Sequence, residues 1–207
     1  MHVALRAVVV LAMAVPIADT AAAQSRAAAD PDWPCQQIKT PTFSLAAIWA
    51  GPQLDLNSQT WRNESDVADL VAKMAQRRVS VEDVKKAIAD FKAKAGADGD
   101  AKLLRAFAAA FDDLTQQRSQ IIDGLDRFGH RQKALASRIR AENDAVEKAS
   151  DEKNDGAAAP GDDAQNKLLW DLRVYNDRRQ TVSYVCETPT LIEQRIGEIA
   201  RAVQNAL

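Results

Sequence analysis

Apolar side chains recur in alternating steps of three and four through much of the chain. One series runs Leu104, Phe107, Phe111, Leu114, then Ile121, Leu125, Phe128, then Leu135, Ile139 and Val146. An α-helix turns once in about 3.6 residues, so this spacing gathers them into one stripe. The stripe predicts a single helix over 100–150, about 75 Å long. Its step is that of a heptad seam, the pattern of helices that wrap around one another. Arg118, Gln132 and Glu142 occupy seam positions, and Gly124 and Gly129 interrupt the stripe as a candidate bend.

The stripe stops at 151–164, a polar segment with Gly, Pro and a block of acids, which reads as a flexible loop. It resumes at Leu168, Leu172, Tyr175, Arg179, Val182 and Cys186. Two such stretches, 100–150 and 165–206, joined by a polar loop predict an antiparallel hairpin. With residue 157 at the tip, Cys186 is expected near Gly129, to within about two turns of helix. Arg179 is expected either to meet Glu142 or to project outward. Thr188-Pro189 predicts a break, with Pro at the start of a last helix carrying Ile192, Ile196, Ile199 and Val203.

Two short helices are expected over 66–95. Ser65 is the candidate cap of the first, with Val67, Leu70, Val71 and Met74 on one face. Ser80 and Asp83 form a candidate capping box for the second, and Gly96 stands where a helix ends. Residues 30–62 are different. Pro31, Pro34, Pro41 and Pro52 resist helix, apart from a short turn after Ser44, and Trp33, Trp49 and Trp61 are spread between them. This segment reads as a strap laid on the helices with the indoles as anchors.

The N-terminus reads as an export signal. Arg6 precedes an apolar run, Val8 to Val15, and Pro16 breaks it. Cleavage is expected after Ala23, or after a second small-residue site at Ala29. A retained anchor is the alternative, but the run falls short of the roughly 20 residues a membrane helix needs. The domain plan is then a signal peptide, 1–23, and a single helical domain, 24–207, in the periplasm and without a transmembrane span. The net charge of −2 lacks the basic excess of a nucleic-acid protein. The chain is poor in Gly and only 5% aromatic, and no alternating strand pattern is present.

There are two cysteines, Cys35 and Cys186. Export makes one disulfide the expected state, tying the strap to the C-terminal helix. A reactive thiol pair is the alternative, although neither cysteine has an activating neighbour in sequence. No C-x-x-C, H-E-x-x-H, G-x-S-x-G or glycine-rich phosphate loop occurs, nor an EF-hand loop. The expectation is therefore no catalytic residue, no metal site and no cofactor. Past the signal the single histidine is His130, read as a surface helix residue. Asp112-Asp113 and Asp162-Asp163 read as solvated surface.

The stretches "DWPCQQIKTPTFSLAAIWAGP", "IIDGLDRFGHRQ" and "RRQTVSYVCETPTLIEQRIGEIARAV" carry W-P-C, W-A-G-P and Y-V-C-E-x-P-x-x-x-E-Q-R patterns. In these the chain resembles a family of uncharacterised bacterial exported helical proteins. The resemblance implies no activity. It marks Cys35, Cys186, Glu187, Pro189, Glu193, Gln194 and Arg195 as signature positions.

The expected fold is all-α: a helical bundle with a long antiparallel coiled-coil hairpin and an irregular strap tied by one disulfide. The expected function is a periplasmic, non-enzymatic adaptor, scaffold or chaperone-like protein-binding module. Its partner would be another periplasmic or envelope protein, or a second copy through the coiled coil, and not nucleic acid. The alternative is a small-ligand or metal carrier with a cleft lined by the tryptophans. The candidate interaction junction comprises Trp33, Trp49, His130, Glu187, Glu193 and Arg195.

Overall fold

The structure, a computed structural model, describes residues 30–154 and 162–207. The expected signal peptide, 1–23, lies outside the described residues. Four α-helices follow in order: α1 (Ser65–Ala75), α2 (Val81–Lys94), α3 (Gly99–Asn154) and α4 (Asp162–Ala206). At 56 residues, α3 is about 84 Å long. α4 lies back along it, α1 packs on α3, α2 packs on α4, and α1 and α2 touch each other. Among the described residues there is no strand.

The core sits where all four helices meet. Val67, Leu70 and Met74 of α1 and Val84 and Ile88 of α2 close over Phe107 and Leu114 of α3 and Ile192, Ile196 and Val203 of α4. Each such fully buried side chain contributes roughly 1.5–3 kcal/mol. Toward the hairpin tip the buried seam thins to Leu135 and Leu168. Polar pairs carry the contact there. Arg138 reaches Asp171 at 2.8 Å, Lys167 pairs with Glu142, and the Gln132 amide donates to the Tyr175 carbonyl at 3.3 Å. Two helices alone cannot exclude water from both sides of their seam, so hydrogen-bonded charges suit it.

Several expectations change. Ser65 does not cap α1: the cap position is Glu64, whose carboxylate binds Arg105 of α3 at 2.9 and 3.1 Å. The loop is shorter than 151–164, since α3 runs to Asn154 and α4 begins at Asp162. Cys186 packs with Leu125, Ile121 and Val182, about one turn of α3 before Gly129 and within the expected range. Glu142 is met by Lys167 and Arg138, and Arg179 projects outward, one of the two outcomes expected for it. Finally, α4 continues through Pro189. Proline lacks the N–H that would bond the Val185 carbonyl. The helix is held from outside on both flanks, by the disulfide at Cys186 and by the buried Ile192.

Other elements follow the sequence reading. The Ser80 hydroxyl accepts from the Asp83 N–H at 3.1 Å, and Gly96 takes φ +65° just past α2. The strap is packed as expected. Cys35 is bonded to Cys186. Trp49 stacks on Phe107 with centroids 4.6 Å apart, and its N–H donates to the Pro52 carbonyl. A Cβ on Gly51 would lie 2.6 Å from that indole, so only glycine fits beneath it. The Gln204 side-chain amide of α4 meets the Ala50 and Gly51 N–H groups. Trp61 packs on the core with Arg62 over its ring at 4.4 Å.

Arg118 joins three of these parts. It is 1% exposed, at the polar seam position of α3. It donates to Glu193 of α4 at 2.5 Å and to the strap carbonyls of Thr40 and Pro41 at 2.5 and 3.2 Å. Removing one partner of a buried charged network leaves the rest unsatisfied. Arg118→Met is expected to cost about 3–5 kcal/mol in urea denaturation. Adding Glu193→Gln should recover part of the loss, giving a measurable coupling in the double-mutant cycle.

Candidate functional site

The strap begins as a tight turn held by its own acids. Asp30 accepts the Asp32 N–H at 3.0 Å, and its carbonyl accepts from Trp33 at 3.1 Å. Lys39 lies between Asp30 at 3.1 Å and Asp126 of α3 at 2.8 Å, with its ammonium 5.6 Å from the centre of the Trp33 ring. Asp32 lies between His130 at 2.8 Å and Lys133 at 2.5 Å. The backbone between these anchors crosses α3 at Gly129. There a Cβ would sit 1.7 Å from the Asp32 carbonyl oxygen. Gly129 is thus the crossing point of the strap, and α3 continues through it.

The charges at this junction are mutually supporting. The hydrogen bond from Lys133 holds the Asp32 carboxyl below its ordinary 3.8. The Asp32 N–H, then Lys39, does the same for Asp30. Asp126, then Asp30, raises the Lys39 ammonium above 10.5.

Two surfaces flank the disulfide. On the strap side a cleft of about 280 Å³ is lined by Trp33, Pro34, Gln132, Lys133, Tyr175 and Arg179. On the other side an apolar groove of about 490 Å³ runs between Ile121, Leu125 and Phe128 of α3 and Thr181, Val182 and Val185 of α4. Among the described residues, no three His, Cys, Asp or Glu converge as metal ligands.

The candidate junction residues separate into five places. Trp33 and His130 do meet at the strap crossing, both through the turn around Asp32. Glu187 follows Cys186 and is exposed. Glu193 belongs to the Arg118 network. Arg195 is buried and donates to the Lys73, Met74 and Val79 carbonyls at 3.2, 2.9 and 2.7 Å. It closes the C-terminal end of α1, where a cation suits the exposed carbonyls; burial lowers its pKa. Trp49 lies on Phe107. Trp33 and Trp61 line separate clefts. Sequence reasoning missed Asp32, Lys39 and Lys133 because their partners are distant in the chain. A glycine amid strong helix formers was the signal for the crossing.

The chain matches no protein-family model, and comparison with curated proteins and with solved structures finds no match.

Two measurements probe the junction. Gly129→Ala is expected to destabilise by about 1–3 kcal/mol, because the new methyl overlaps the strap backbone. Gly124→Ala should instead stabilise by up to about 1 kcal/mol, since its Cβ would meet only the Arg127 guanidinium at 3.9 Å. Equal effects of one sign would contradict a crossing at Gly129. In acid, carboxyls held below 3.8 keep their contribution above that value and lose it as pH falls further. In a His130→Asn background, which removes the neighbouring imidazole, the Trp33 indole N–H resonance should stay fixed from about pH 6 to about pH 4 and move only below. Lys39 contributes below 10.5 and loses its contribution as pH rises past its raised value.

Proposed function

We propose that this protein is a periplasmic, non-enzymatic helical adaptor or scaffold whose protein partner, another envelope protein or a second copy of this chain, docks along α4. The observation that carries this reading is where large apolar side chains are exposed. Leu169 and Trp170 are each 63% exposed, Tyr184 is 74% and Leu191 is 57%, all on α4, with Val185 also exposed. Elsewhere among the described residues only Ile38, Leu56 and Leu207 are comparable. Single exposed apolar residues are ordinary, but a row including Trp and Tyr on one rigid helix suits a protein interface.

The hairpin suits such a role. Its base is locked into the four-helix core, and its arms present a long face at fixed spacing. The disulfide and the signal-like N-terminus support an oxidising compartment. No described helix is long and apolar enough to cross a membrane. The resemblance to exported helical proteins points the same way.

A photo-cross-linking residue at Trp170, in cells exporting the protein, tests the reading. Discrete adducts to one protein are expected, and a probe at the exposed α3 position Glu147 should yield none of them. Equal, diffuse labelling from both positions would overturn it.

A further inference from the structure

We propose that the outer face of α4 is a homodimer interface, on which two copies pack antiparallel about a two-fold axis near Thr181. The proposal rests on the protein-binding reading above and names the occupant of that face as a second copy of this chain.

α4 carries a second heptad seam, distinct from the one that faces α3. Trp170, Asp177, Tyr184 and Leu191 recur every seven residues. Val174, Thr181 and Thr188 stand four residues after the first three. This is the a/d step of a two-helix contact. The chain leaves its large members in solvent. The seam ends at Leu191 for a structural reason: on the next turn Arg195 is buried beneath the end of α1.

The register follows from the polar members. A parallel pair would set Asp177 against Asp177 and Arg173 across the seam edge from Arg178 of the second copy, placing like charges at close range. An antiparallel pair centred near Thr181 sets Trp170 against Leu191 at both ends. It sets Asp177 against Tyr184, whose phenol can donate to the carboxylate. Along the edge of the seam Arg173 then opposes Glu187 of the second copy, twice by symmetry; both are exposed within the chain. The start of the second copy's α4, with exposed Asp163, approaches the turn between α1 and α2, where Arg77 and Arg78 are exposed. Complementary charge therefore appears at the edge and at the ends in the antiparallel arrangement and not in the parallel one.

The axis also falls beside the apolar groove. Asp177, Thr181 and Val185 border both the seam and that groove. A second helix on the seam covers its open side. The contact spans about 32 Å of helix. Three of its seven seam residues are Asp or Thr, so a weak association is expected, with a dissociation constant on the order of 10 µM.

Sedimentation velocity on the mature, disulfide-bonded protein, from about 1 to about 300 µM, reads the outcome. A concentration-dependent shift from monomer to dimer is expected. Tyr184→Asp and Arg173→Glu should each weaken dimerisation at least about tenfold. Arg173→Glu combined with Glu187→Arg should restore it to within about threefold. These side chains are exposed in the monomer, and circular dichroism confirms that each variant keeps its helices. With a short bis-maleimide, Thr181→Cys should give a covalent dimer, because that position meets itself across the axis, whereas Trp170→Cys should not. A monomer at every concentration overturns the proposal. So does efficient cross-linking of Trp170→Cys, or a charge swap that fails to restore the dimer. A monomer whose Trp170 probe still captures a different envelope protein overturns the dimer and leaves the adaptor reading standing. A monomer with no capture overturns both.

Discussion

One buried guanidinium organises this molecule. Arg118 lies at a seam position where a leucine would satisfy the heptad, yet it binds a carboxylate on α4 and two carbonyls of the strap. A charge without water needs every donor placed, so it admits one arrangement of the three parts. An apolar residue there would permit the helices to slide and the strap to lift. Phe43 completes the enclosure, with the guanidinium 5.9 Å from its ring centre. Arg195 repeats the device one layer away, fastening α4 to the end of α1. The lower hairpin is thus locked by arginines reaching carbonyls of other elements, with the apolar core filling the space between.

The strap is fixed at successive levels by different physics. At its start, ion pairs and the Gly129 crossing set its path. The disulfide closes a loop with a sequence separation of 151 residues, which in the chain-entropy model is worth about 4–5 kcal/mol. Further on, stacking of Trp49 on Phe107 and packing of Trp61 on the core add apolar area. The effect is to brace one side of the hairpin. The opposite groove and the outer face of α4 stay open, which makes the molecule two-sided. Binding energy spent on the open side need not order the hairpin, because the strap has already done so.

The fold was largely legible in the sequence, and particular residues show why. The spacing from Leu104 to Val146 announced α3 because burial on one side of a helix forces that period. Ser80, Asp83 and Gly96 announced the limits of α2 because caps are local. Ser65 misled because Glu64 finds a better partner in Arg105, 41 residues away. Pro189 misled because its cost is local while the contacts that carry α4 past it are not. The candidate junction was legible only in part. Trp33 and His130 meet there, while Glu193, Arg195 and Trp49 serve the core.

Helical class, hairpin topology and the disulfide pairing could all be read from residue order, since each depends on periodicity, composition or a count of two cysteines. The pairing of the arms, the crossing at Gly129 and the partners of Arg118 required the folded molecule. A heptad seam looks alike when slid by one repeat, and nothing within a helix says which carbonyl of a distant strap its arginine will meet. Those choices are made by contacts between residues far apart in the chain, and they leave one face of α4 without a partner.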